Sequence, residues 1–83
     1  MKIRKIKKKP IVVETVQYTG NNIGDIEKWS NKKLSIQAED GSLIIPTLEG
    51  NLKANIGDWI IRGVRGEIYA IKPDILEETY EDA

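Results

Sequence analysis

The chain has 83 residues, with 13 Lys and Arg balanced by 13 Asp and Glu, and it contains neither cysteine nor histidine. That length makes one domain, with no room for a second core. The missing cysteine excludes disulfides, thiol nucleophiles and thiolate metal sites, and the missing histidine removes the commonest general base and most zinc ligation.

Residues 1–9 carry Lys2, Arg4, Lys5, Lys7, Lys8 and Lys9 with no acid, and Ile3 and Ile6 stand isolated among them. This reads as a basic arm or as an edge strand protected by lysine. Pro10 keeps the residue before it out of the helical region and suits the start of a strand. Residues 10–83 are expected to form the single domain. No apolar core or cleavage site of a signal peptide follows the basic residues, and the apolar runs are far too short to span a bilayer. A soluble cytoplasmic protein is the expectation.

Ile11 to Tyr18 predicts a strand, with Val12, Val16 and Tyr18 facing inward. Glu14 falls on the same face, where a carboxylate must sit at the rim or be paired. After Thr19-Gly20, Asn21 or Asn22 can cap a helix from Ile23 to Trp29 or Ser30, with Ile23, Ile26 and Trp29 as its apolar stripe. Leu34 to Ala38 reads as a short strand, and Glu39-Asp40-Gly41-Ser42 as a hairpin turn. Leu43 to Leu48 returns, with Pro46 marking an edge or a bulge. Glu49-Gly50-Asn51 is a second turn before Leu52 to Ala54.

Trp59 to Arg62, the turn Gly63-Val64-Arg65-Gly66, and Glu67 to Lys72 predict a hairpin at the centre of the fold. Apolar residues on both of its faces imply cover on both sides, at least in part. Asp74 is the expected N-cap of a last helix, with Glu77 completing a capping box. The segment 74–83 holds Asp74, Glu77, Glu78, Glu81 and Asp82 and no base, so the two ends of the chain carry opposite charge. They can attract one another, or their counterparts in a homodimer, weakly and under salt screening. The fold class is therefore α+β: a small, strongly bent antiparallel sheet, either open or closing toward a barrel, with two short helices.

Little catalytic chemistry is available to these residues. No glycine-rich phosphate loop or calcium loop is present, and nothing singles out a carboxylate pair, so the chain is not expected to be an enzyme. No cofactor, metal, small-molecule ligand or membrane is expected. A neutral whole argues against a dedicated nucleic-acid binder. Gly57-Asp58-Trp59 reads first as a turn whose aspartate accepts backbone hydrogen bonds. The candidate partner-binding surface is Trp59, Arg62, Arg65, Tyr69 and Lys72 on the hairpin, with Lys7, Lys8 and Lys9 of the arm. A protein-binding or self-associating module is the leading expectation, and weak nucleic-acid binding through those lysines and arginines is the second. An enzyme working through paired carboxylates comes third.

Several blocks resemble small proteins of unknown function encoded by bacteriophages and prophages. They are Lys8-Lys9-Pro10, Tyr18-Thr19-Gly20, Ile45 to Gly50, and above all Gly57 to Glu67 followed by Tyr69, Lys72 to Ile75 and Thr79-Tyr80-Glu81. The chain departs from that pattern at Ala70-Ile71, where Pro-Cys is expected. The resemblance implies a phage or prophage gene product in the bacterial cytoplasm, and it assigns no residue a role.

Overall fold

The computed structural model describes residues 2–5 and 11–82. In chain order the elements are β1 (Glu14–Gln17), α1 (Ile23–Ser30), β2 (Ser35–Ile36), β3 (Leu43–Thr47), β4 (Gly50–Ala54), β5 (Trp59–Arg62), β6 (Ile68–Ile71) and α2 (Pro73–Thr79). The strands form two separate three-stranded antiparallel sheets, ordered β1-β5-β6 and β2-β3-β4. The α+β class with antiparallel strands and two short helices holds; the strands divide into two sheets in place of one, and the open alternative is the one found, not the barrel. β1 and β6 are the edges of one sheet and β2 and β4 the edges of the other, and no ladder joins them. Both sheets turn an apolar face to one shared core, so they meet face to face and not edge to edge. They pack with β3 and β4 lying against β6.

Side-chain alternation explains the core. In the first sheet Val16, Ile60 and Ala70 are cross-strand neighbours on one face, and in the second Leu43 pairs with Ala54 and Ile45 with Leu52. These two faces meet, and Ile23, Ile26 and Trp29 of α1 pack into the same core with Tyr18, Leu34 and Ile68. The three-residue spacing of that helical stripe is what lets so short a helix hold its place. Asn31 ends the helix in the left-handed conformation, φ 56°. Asn22 precedes the helix but does not cap it. Its side chain accepts from Thr19 N–H and donates to the Gln17 carbonyl, fastening the turn to β1.

The first strand is shorter than its sequence suggests. Val12 is 77 % exposed, because the ladder to β5 covers only Glu14 to Gln17 and nothing packs on residue 12. Glu14 takes the rim position and accepts from the Arg62 guanidinium directly across the ladder. Pro46 sits in β3, the middle strand of its sheet, without a bulge. Gln37 N–H donates to the Ser42 carbonyl, so even-numbered residues of this strand point their backbone groups toward β2. β2 pairs only with Leu43 and Ile44, so the donor Pro46 lacks would have met no strand there.

Glycine at positive φ shapes the connections of both hairpins that border the core and the site. The β2–β3 connection places Gly41 at φ +73°, and the buried Tyr18 hydroxyl donates to its carbonyl at 2.7 Å, tying the loop to the core. The β5–β6 connection closes with Gly63 N–H to the Glu67 carbonyl and Gly66 N–H to the Gly63 carbonyl, and Gly66 lies at φ +82°. That is the three-residue hairpin loop whose last residue must be left-handed. The second turn of the middle block is Leu48-Glu49, one residue earlier than expected, between the paired Thr47 and Gly50. α2 begins two residues earlier than expected. Pro73 occupies its first position, Lys72 is the N-cap, and no capping box forms.

Candidate functional site

The hairpin β5–β6 distributes the expected surface residues over two faces. Arg62 points to the core side, where its guanidinium donates to the Trp29 carbonyl and to Glu14 and lies 4.9 Å from the centre of the Trp29 ring. It clamps the end of α1 onto the sheet, with one donor on the helix and one on β1. Lys72 reaches Asp58, with Nζ 2.9 Å from Oδ2 and 3.2 Å from Oδ1. Trp59 and Tyr69 share the opposite, outer face. Arg65 is exposed at the tip of the turn. The structure thus brings Trp59 and Tyr69 to one face and assigns Arg62 and Lys72 to structural pairings. Lys7, Lys8 and Lys9 lie outside the described residues. So does most of the arm-or-strand expectation, although residues 2–5 are exposed and belong to no strand.

Asp58 is buried, and its role is the one its turn suggested. Oδ2 accepts from Asn55 N–H at 2.9 Å, closing the turn between β4 and β5. The same turn is fastened to the end of β1: Tyr18 N–H donates to the Asp58 carbonyl, Gly57 N–H to the Tyr18 carbonyl, and Gln17 Nε2 to the Gly57 carbonyl. These bonds fix where β5 begins, and with it which of its residues face outward.

The outer face of the first sheet carries the concave feature of this molecule. Ile61 follows Ile60 on β5 and so points away from the core, yet it is fully buried. Above it opens a cavity of about 710 Å³ between residues 11–15 on one side and α2 with the residues after it on the other. A second compartment of about 240 Å³ continues toward the hairpin turn, and the two share Ile11, Val13, Thr79 and Tyr80 as walls. Ile61, Val13, Ile11 and Leu76 supply the apolar lining of the larger compartment, beside the polar Thr15, Thr79 and Tyr80. The rim is acidic, with Glu77, Glu81 and Asp82 on the larger compartment and Glu67 on the smaller. Among the described lining residues there is no lysine or arginine.

Tyr69 and Tyr80 stand together in the smaller compartment. Hydrogen bonding with the Tyr80 side chain, then burial and the Glu67 carboxylate, push the Tyr69 phenol up to about 12. The Tyr69 hydroxyl is therefore neutral at the groove wall under ordinary conditions. Among the described residues no group of three or more Asp or Glu is arranged to hold a metal ion, and no helix is long and apolar enough to cross a membrane.

The groove residues Ile11, Val13, Ile61, Leu76, Glu77, Glu81 and Asp82 are absent from the surface expected from sequence. The signal that could have found them is the out-of-phase isoleucine: Ile60-Ile61 puts an apolar side chain on each face of β5, so something must lie over the second face. No family model matches the chain, nor does any curated protein or solved structure.

Proposed function

We propose that the protein is a small binding module, engaging a protein partner or a second copy of itself through the groove on the outer face of the first sheet. One observation carries this reading. A concavity with Ile11, Val13, Ile61 and Leu76 in its lining, between residues 11–15 and α2, carries carboxylates along its α2 side and no basic side chain among its described lining residues. Such a surface gains by burying apolar area against an occupant of positive charge. The proposal assigns no catalytic role, since the rim carboxylates Glu77, Glu81 and Asp82 are exposed to water rather than paired in a dry pocket. Arg62 is already engaged by Trp29 and Glu14, which removes one of the two hairpin arginines from a nucleic-acid reading. The context proposed with it is a phage or prophage product acting in the bacterial cytoplasm, on the residues Gly57 to Glu67 and Lys72 to Ile75.

Sedimentation velocity over a concentration series, with capture of partners from a bacterial lysate, tests the proposal. Val13→Glu places a charge on the groove wall, and Arg65→Glu alters the hairpin tip. Association that is lost in the first variant and kept in the second supports the groove. Association lost only with Arg65→Glu, or absent with every partner and at every concentration, overturns it.

A further inference from the structure

We infer that the occupant of the groove is the basic segment 2–9 of a second copy of this chain, exchanged reciprocally between two copies. The inference rests on the groove being a binding surface, and it names what binds. Charge complementarity selects the occupant. The segment carries Lys2, Arg4, Lys5, Lys7, Lys8 and Lys9 and no acid, while the groove is rimmed by Glu77, Glu81, Asp82 and Glu67. No other stretch of the chain has so dense a positive charge.

The apolar residues of the segment match the groove in kind. Ile3 and Ile6 are its only isoleucines, three apart. An extended left-handed conformation repeats every three residues with about 3.1 Å rise, so both would project from one side, about 9 Å apart. Arg4 and Lys5, between them, would then face the rim. The groove offers two adjoining compartments that share Ile11 and Val13, so each presents aliphatic surface to one of two spaced isoleucines. In the single chain this part of the segment is not seated: residues 2–5 are exposed, and Ile3 is 77 % exposed.

The described residues favour a second copy over the chain's own segment. Residues 2–5 are exposed and belong to no strand, so the chain's own groove does not hold them and they are free to reach a neighbour. A two-fold arrangement seats both segments at once, and the second seat then closes within an already formed pair.

Two full-length variants test this together. The first, Ile3→Ser with Ile6→Ser, disables the segment and keeps the groove. The second, Glu77→Lys with Glu81→Lys and Asp82→Lys, disables the groove and keeps the segment. Sedimentation equilibrium should find the wild type dimeric, with association weakened roughly tenfold between about 0.05 M and about 0.5 M salt as screening takes hold. Each variant alone should be monomeric, and an equimolar mixture should recover a heterodimer through its one intact seat. A fluorescent peptide of residues 2–10 should bind the first variant and not the second. Dimerisation of the first variant at wild-type strength overturns the inference while leaving self-association standing. A monomeric wild type whose groove excludes the peptide, while the first variant binds it, assigns the seat to the chain's own segment and overturns the second copy. A peptide that binds neither variant overturns the inference, and lysate capture through the groove then decides separately whether the binding module survives.

Discussion

Replacing Asp58 separates the two tasks its carboxylate performs. Asp58→Ala removes a buried acceptor of the Asn55 N–H and the partner of Lys72. A hydrogen bond to a charged group contributes about 1.5–3 kcal/mol, and the exposed ammonium adds less than about 1 kcal/mol because it can return to water. The Lys72 side chain is 56 % exposed, so that return is open. The expected loss is about 2–3 kcal/mol. Unfolding entropy of roughly 2.1 cal/mol/K per residue over 83 residues makes each kcal/mol worth about 6 °C, so Tm should fall by about 12–17 °C. Asp58→Asn keeps an oxygen for Asn55 and loses only the charge, and should cost about 1 kcal/mol. Calorimetry, with urea unfolding followed by Trp29 and Trp59 fluorescence, measures both variants. Equal destabilisation of the two would refute the reasoning, because the ion pair and not the turn would then carry the energy. So would an Asp58→Ala protein within about 0.5 kcal/mol of wild type.

The other expectations concern the core, the loop and the groove. Tyr18→Phe should cost about 1 kcal/mol by freeing the Gly41 carbonyl, with faster amide exchange confined to the β2–β3 loop as the signature. Ile60→Ala should cost about 3–4 kcal/mol in denaturant unfolding, as a closed core cavity requires. Ile61→Ala should fall nearer about 2 kcal/mol, since its void opens into the groove. Tyr69 is raised in the folded chain, so its neutral form is favoured there; the stabilisation is complete below about pH 10 and is lost as pH climbs toward about 12. Phenolate absorbance should show a late step that Tyr69→Phe removes, and that variant should lose less stability over the same interval.

What was legible in the sequence was mostly local. β5 and α1 appear where alternation, spacing and turn residues put them, and Gly66 closes the hairpin between β5 and β6 as its loop chemistry requires. The ends of strands were less legible, because pairing partners decide them: Ile11 to Val13 alternate as well as Glu14 to Gln17 do, but only the latter meet β5. The split into two sheets depends on how far β2 and β4 extend, which no local pattern records. The same holds for the site. Charge and exposed aromatic residues drew attention to the hairpin, yet Arg62 and Lys72 find partners 48 and 14 residues away. The groove arises where α2 stands off the sheet opposite residues 11–15, a distance set by tertiary packing and not by any motif.

Backbone amide shifts of the full-length chain, recorded as its concentration is raised at low salt, test the central claim most directly. The account predicts that shifts cluster on Val13, Thr15, Ile61, Leu76, Thr79 and Tyr80, around the groove, while Val64 and Arg65 at the hairpin tip stay still. Shifts confined to the hairpin tip would contradict it, as would spectra that do not change with concentration and do not respond to the peptide of residues 2–10.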